Sequence, residues 1–404
     1  MEPRGGPVKI RRSEEALLTL FYYTVPFLAV LTVVVFFHEL GHFLVGRLCG
    51  AKVDAFSLGF GPELCHFTDR WGTRWRIAIF PLGGYVKFHG DANAASVPDE
   101  QAVADMDPRE RAGTLAGLSV WRRAAIVAAG PAANFVLAVV ILAALFHING
   151  KPIVHPQIQE IMRGGAAAGS ELKVGDIVLA VDGHEIDAVE QIPRIIQDSA
   201  GGPVAVTVRR DGSERTILVD PTRQIYHTWL GDERSASLGI RIAASKANIE
   251  LRQYSIWQAF RAGVREVQSI VVTTGHTMKQ LIVGRESARQ LSGPIGIAQV
   301  SGEVAQAGIV PLIYLVAILS VSIGLLNLMP IPLLDGGFLM FFAYEAVRGK
   351  ALPARAQLVG FRVGLTFVAV LSVFVAVNDI SKILFPPTPD QGTQQPSEHP
   401  GKAK

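Results

Sequence analysis

Four long apolar stretches punctuate the chain, and between them the hydrophobic period changes. They run from Ala16 to about Leu44, Ala124 to about Ile148, Ile309 to about Leu334 and Val363 to about Val377. Each reads as a membrane-crossing helix, which needs about 20 mostly apolar residues. The fourth is short between Arg362 and Asp379, so its ends must be held by snorkelling or tilt. From Val53 to Phe88 apolar and polar residues alternate around turn signals at Gly59-Phe60-Gly61-Pro62, Asp69-Arg70-Trp71-Gly72 and Pro81-Leu82-Gly83-Gly84. This predicts β-hairpins. Their content of Phe56, Leu58, Phe60, Trp75, Ile77 and Ile79 predicts a sheet dipping against the membrane domain, where open edges must be covered or face a water-filled cavity.

Asp91 to Arg111 is polar and acidic with little periodicity, and reads as a mobile linker. Residues 151 to 245 have the pattern of a compact soluble domain: strands over Ile158–Met162, Ile177–Val181, Val204–Arg209 and Thr216–Val219, a short helix over Glu190–Asp198, and turns at Asp182-Gly183 and Asp211-Gly212. Ser255 to Gly284 carries a broad apolar face and suits an amphipathic helix, either lying on the outer membrane surface or docked on protein. The tail after Pro386 is polar and Pro-rich, with no core-forming pattern.

The fold class expected is an α-helical polytopic membrane protein of about four transmembrane helices, with a membrane-associated β-hairpin region and an inserted α+β domain. The layout is an N-terminal tail (1–15), first membrane helix (16–48), hairpin region (49–90), cytoplasmic linker (91–120), second membrane helix (121–149) and inserted domain (150–245). An extracytoplasmic amphipathic region (246–308), third membrane helix (309–346), cytoplasmic loop (347–357), fourth membrane helix (358–385) and tail (386–404) follow.

Half the residues are apolar and only 18% are charged, which fits a membrane protein. The net charge of +3 gives no reason to expect a nucleic-acid partner. Arg47, Lys52, Arg70, Arg74, Arg76, Lys87, Arg122 and Arg123 lie between the first two spans, and Arg348, Lys350, Arg355 and Arg362 between the last two. The excess places both segments in the cytoplasm and residues 150 to 308 outside. The basic tail (Arg4, Lys9, Arg11, Arg12) argues the other way and is outnumbered. It resembles the start of a secretory signal, but the apolar run is too long and leads straight into a charged cluster, so a retained span is expected. Cys49 and Cys65 both fall in the cytoplasmic half and imply no disulfide framework.

That cluster is His38-Glu39-Leu40-Gly41-His42. On a helix the four-residue spacing stacks both imidazoles on one face, able to share one ion, with Glu39 in reach of a water on that ion. Between Glu15 and Arg47 these three side chains are the only strongly polar ones. An acidic group at the bilayer centre costs about 2.5–3.5 kcal/mol on insertion scales, and a divalent cation offsets the burden of such a cluster. A catalytic zinc takes three protein ligands and leaves one position for water. The best third ligand is Asp335, the only acidic residue between Glu303 and Glu345. It ends the run Asn327-Leu328-Met329-Pro330-Ile331-Pro332-Leu333-Leu334-Asp335-Gly336-Gly337, whose prolines and paired glycines predict a broken helix.

Phe37 to His42, Gly130-Pro131-Ala132-Ala133-Asn134-Phe135, Ser292-Gly293-Pro294-Ile295 and the Asn327–Gly337 run, in that order, resemble the bacterial site-2 proteases, and among them the regulator of sigma-E proteases. Gly164 to Gly183 resembles a PDZ domain of the bacterial protease type, present here in one copy where the enterobacterial form has two. The resemblance implies an inner-membrane zinc protease with its site toward the cytoplasm. It implies His38, His42 and Asp335 as zinc ligands, Glu39 as base and Asn327 as a substrate-positioning group. Its partners would be the lipid bilayer and single-span membrane proteins such as a pre-trimmed anti-sigma factor. The PDZ domain would face the periplasm, either adding a peptide as an extra strand or blocking access. Two rival classes remain, a metal-ion transporter or sensor and a catalytically silent PDZ scaffold. The first calls for a path of polar groups through several spans, and the second has no use for Glu39.

Overall fold

The computed structural model describes residues 8–91, 105–162, 164–186, 192, 195–196, 202–228, 231–283 and 292–384. They divide into two compact units, one comprising residues 1–138 and 287–404 and the other residues 139–286.

In the first unit, α1 (Val8–Leu48) begins inside what the sequence assigned to the N-terminal tail and continues unbroken through the histidine pair. A two-strand region follows, β1 (Val53–Thr68) and β2 (Arg74–Phe88). Its pairing is more elaborate than a simple hairpin. Residues 53–58 pair with 84–88 and also with 74–77, and 74–78 pair in turn with 63–68. The glycine-rich positions at 59–62 and 81–84 mark the irregularities that let each strand fold back. Phe56, Val86 and Phe88 bury against Phe43 of α1 and Ile126 of α3 (Val120–Ile148), so the apolar face foreseen for this region packs on helices.

The linker expected to be mobile has an ordered end. Residues 92–104 lie outside the described residues, but α2 (Pro108–Ala112) is capped by Asp107, whose carboxylate accepts from the N–H groups of Arg109 and Glu110 at 2.8 Å. Leu115 and Leu118 then enter the same apolar cluster as Phe43 and Ile126.

The C-terminal part of this unit contains α5 (Pro294–Gln306), α6 (Ile309–Asn327), α7 (Asp335–Arg348) and α8 (Ala354–Leu384). The third apolar stretch is shorter as a helix than its hydropathy suggested, because α6 ends at Asn327. The fourth is longer: α8 has 31 residues, carrying the helix past the charges that seemed to bound it. Asp379, buried within α8, is no isolated charge, since its carboxylate accepts from the N–H groups of Gly293 (3.0 and 3.1 Å) and Gly296 (2.9 Å) at the start of α5. Helix N-terminal N–H groups are unsatisfied donors, and an anion there is favourable. Segments of α1, α3, α6 and α8 are long and apolar enough to cross a membrane.

The second unit holds an antiparallel sheet in the order β10 (Ile240–Arg252), β3 (Lys151–Ile161), β4 (Ile177–Val181), β6 (Val204–Arg210) and β7 (Ser213–Val219), with the short β5 (His184–Glu185) pairing β4, while β8 (Thr222–Thr228) and β9 (Gly231–Ser237) pair with each other. Asp182 and Asp211 adopt positive φ (52° and 49°) beside Gly183 and Gly212, the geometry of the tight hairpin turns that Asp-Gly encodes. The helix expected over 190–198 falls mostly outside the described residues, though Ile192 and Ile196 are buried in the sheet's core with Val178, Val206 and Val208. The sequence reading missed β10, which runs to Arg252 and pairs back to Lys151. The amphipathic segment is α4 (Ile256–Val283). Ala259, Ala262 and Val267 are buried, and Gly263 lies against the backbone of Val139 and Ala143, where a side chain would not fit easily.

Asp176 anchors this unit. Its buried carboxylate takes two bonds of 2.6 Å from the Arg210 guanidinium and one of 2.8 Å from the Lys173 N–H. Burial pushes the carboxyl up, but these donors outweigh it and hold it below the ordinary carboxylate range. The folded state therefore keeps Asp176 ionised where an unfolded chain would protonate it. The stabilisation is complete above about pH 4, the unfolded pKa, and is lost as pH falls through the depressed folded one. Asp176→Asn is expected to weaken amide-exchange protection across β4 and β6 at pH 7. The gap to the parent protein should narrow as the pH of the exchange series is lowered below 4.

Candidate active site

Helix α1 presents His38, Glu39 and His42 on consecutive turns, and α3 crosses it closely. The closeness depends on small residues. A Cβ on Gly41 would collide with the carbonyl of Ala129, and one on Gly130 would collide with the His42 ring and press on His38 at 2.9 Å. Both imidazoles thus rest against bare backbone of α3, their rings at 84° to each other. The His42 Nδ1–H donates to the carbonyl oxygen of Ile126 at 2.9 Å, which turns Nε2 inward.

The third member arrives from the far end of the chain. Past Asn327 the backbone leaves the helix, because Pro330 and Pro332 cannot donate, and restarts as α7 at Asp335. Leu333 holds a φ of 103°, a conformation that costs a non-glycine residue about 1–3 kcal/mol. The turn is clamped on both sides. Gly336 and Gly337 pack on the carbonyls of Leu328, Met329 and Ile331, and Gly364 of α8 on that of Pro332, each where a Cβ would collide.

Asp335 Oδ2 lies 3.2 Å from His38 Nε2 and 3.6 Å from His42 Nε2, and the two Nε2 atoms are 3.2 Å apart. Asp335 Oδ2 is buried and has no well-formed hydrogen bond. Three electron-pair donors in one place repel one another unless a cation or a shared proton sits among them. Donors bound at 2.0–2.1 Å around a tetrahedral zinc are separated by about 3.3–3.4 Å, and the observed separations bracket that spacing. The residues fit the ion. Among the described residues these three form a group that could hold a metal.

Glu39 and Asn327 line the same cavity as the triad, a space of about 840 Å³, within the usual range for ligand pockets. Asn327 Nδ2 is 3.5 Å from His38 Nε2. Gly84 of β2 packs against Glu39, 2.9 Å from its Cγ if a Cβ were present. Tyr85 and Val86 continue along the cavity wall, and the Arg123–Glu345 ion pair (2.5 Å) also lines it. The five site residues expected from the sequence, His38, Glu39, His42, Asn327 and Asp335, therefore line one cavity. The sequence marked the Gly130–Phe135 segment as a motif without assigning Gly130 or Asn134 a role, and it gave no sign of Ile126, the third member of this supporting set on α3. Asn134 is fully buried with Nδ2 3.3 Å from His38 Nδ1. The signal available was Gly130 and Asn134 at helical spacing in an otherwise apolar span.

Gly130→Ala is expected to push both imidazoles off α3, an overpacking cost of about 1–3 kcal/mol. The variant should retain its helix content by circular dichroism yet lose zinc, measured by elemental analysis after equilibration at limiting free metal.

Comparison with known proteins agrees in outline. Residues 26–371 match the model of peptidase family M50. "Putative zinc metalloprotease Atu1380" of Agrobacterium fabrum is 47% identical over 363 residues, covering 90% of this chain and 96% of that protein. "Putative zinc metalloprotease R01501" of Rhizobium meliloti is 44% identical over 367 residues, covering 90% and 98%. "Metalloprotease MmpA" of Caulobacter vibrioides is 37% identical over 383 residues, covering 89% and 95%. Among solved structures, the PDZ domain of an SdrC-like protein from Listeria monocytogenes aligns at a TM-score of 0.18 and 16% identity, over 22% of this chain and 87% of that one, too slight a likeness to argue from.

Proposed function

The chain belongs to peptidase family M50, and from that premise we propose that it is an intramembrane zinc metalloprotease of the site-2 type. Its substrates are single-span membrane proteins, an anti-sigma factor already trimmed outside the membrane being the class in view. The observation that carries this is the convergence of His38, His42 and Asp335 at 3.2–3.6 Å, with Glu39 on the wall of the same cavity.

His38, His42 and Asp335 hold the metal, and Glu39 acts as general base and then general acid. Bound zinc would polarise the scissile carbonyl and lower the pKa of a water toward neutrality. Glu39 takes the proton from the attacking water and delivers it to the leaving amine. Asn327, on the metal side of His38, positions the substrate backbone. The inserted unit acts as a PDZ domain that receives an extended peptide or limits access, with the catalytic site toward the cytoplasm.

A transmembrane helix hides its carbonyls in internal hydrogen bonds, so the substrate must unwind before cleavage. Residues 84–88 pair on one side with 53–58, and Gly84 to Val86 line the cavity. This supports strand addition to β2 as the means of holding the unwound segment. Substrates whose spans contain Gly or Pro near the cut are expected to be cleaved faster than Leu- or Ala-substituted versions, compared as initial rates in one reconstituted membrane. Equal rates would remove the unwinding step.

Glu39→Gln is expected to keep zinc and lose cleavage by about 10²–10⁴-fold. Membrane proteomes from cells carrying the parent or the variant should differ in trimmed single-span proteins that accumulate only with the variant. A scaffold or transporter would leave the two proteomes alike.

A further inference from the structure

We propose that Asn134 is a positioning residue of the metal site, whose side-chain carbonyl accepts the Nδ1–H of His38 and so fixes the tautomer that leaves Nε2 free to ligate. The proposal rests on the zinc reading above and extends it to a residue of α3 outside the ligand triad.

Both histidines turn Nε2 toward Asp335. A neutral imidazole that ligates through Nε2 carries its proton on Nδ1, and that proton needs an acceptor. His42 has one, the carbonyl oxygen of Ile126 at 2.9 Å. His38 Nδ1 faces the Asn134 amide at 3.3 Å. As placed, the amino end of that amide points at Nδ1 while Oδ1 lies buried with no partner. With a proton on Nδ1 this would set two donors against each other and strand an acceptor. The two ends of an asparagine amide have nearly the same shape and are told apart by their partners. Exchanging them puts Oδ1 on the Nδ1–H and removes both faults.

The backbone around Asn134 is built to hold it. Its own carbonyl accepts from Ser320 Oγ of α6 at 2.9 Å, and Gly324, one turn further along α6, packs against its Cβ. Asn134 is fully buried, so water cannot substitute as the acceptor. Two amides therefore flank one imidazole: Asn327 on the ligating side and Asn134 behind it. Gly130 provides the space for the rings and Asn134, one turn on, the acceptor.

The test is zinc affinity of the full chain in detergent, measured by chelator competition for the parent, Asn134→Leu and Asn134→Asp. Leucine keeps the size and removes the acceptor, and is expected to weaken zinc binding by about 10- to 100-fold. Aspartate keeps the acceptor, and should stay within a few-fold of the parent. Equal affinity in all three, or equal loss in Leu and Asp, would overturn the positioning role. A parent that binds no zinc would instead overturn the metal reading itself. A second measurement needs no variant: ¹⁵N-histidine labelling of the zinc-loaded parent should show His38 protonated on Nδ1 with a slowly exchanging proton. A proton on Nε2, or one exchanging freely from Nδ1, would refute the proposal even if the leucine variant failed to fold.

Discussion

Two imidazoles and a carboxylate held 3.2–3.6 Å apart inside an apolar bundle need a cation or a shared proton between them, and most of the surrounding architecture answers to that constraint. Like electron pairs repel at this separation. A divalent ion turns the repulsion into coordination. The backbone must then deliver the donors at tetrahedral spacing and hold them there. Gly41 and Gly130 let α1 and α3 approach until rings rest on backbone, and the Ile126 carbonyl aims one ring. Without the close crossing, the four-residue spacing of the histidines would put them on one face but not at one point.

The carboxylate side is solved differently. Asp335 stands at the first residue of a helix that begins in mid-bundle, and a turn with two prolines precedes it. Such a turn cannot be stabilised by helical hydrogen bonds, so packing takes their place: glycines of α7 and α8 close on its carbonyls, and Leu333 accepts a strained φ. Helix α8 lines the cavity with Gln357 and Val368 but offers no residue to the His38–His42–Asp335 group, and its Gly364 backs the turn that carries Asp335. The same helix brings Asp379 to the start of α5, where N–H groups satisfy a carboxylate that hydropathy alone would place at the edge of the span. Asp379 is thus matched to local donors, and Asp335 stands where a cation could be held.

The β1–β2 region ties this framework to the cavity wall. It packs Phe56, Val86 and Phe88 on α1 and α3, and so fixes Gly84 against Glu39. In the proposed mechanism, a strand that borders the cavity and also touches Glu39 would couple the position of a bound backbone to the group that moves the water's proton.

Much of this was legible in the sequence. Local chemistry determined the histidine spacing, the polar cluster in an apolar run, the helix break before Asp335 and the Asp-Gly turns, because each depends on residues within one turn of one another. Asp335 could be picked out by scarcity, being the only acid in a long apolar stretch. The ends of α6 and α8 could not, since hydropathy marks where a chain prefers lipid and not where the backbone stops being helical. Nor could the support around the ligands. Asn134, Ile126 and Gly130 act through space on residues some ninety positions away, and a buried amide or a backbone carbonyl carries no mark of its partner in the sequence. Which groups would stand within 3.6 Å of each other was decided by helix crossings, and crossings are set by tertiary packing of small residues whose neighbours the linear order does not specify.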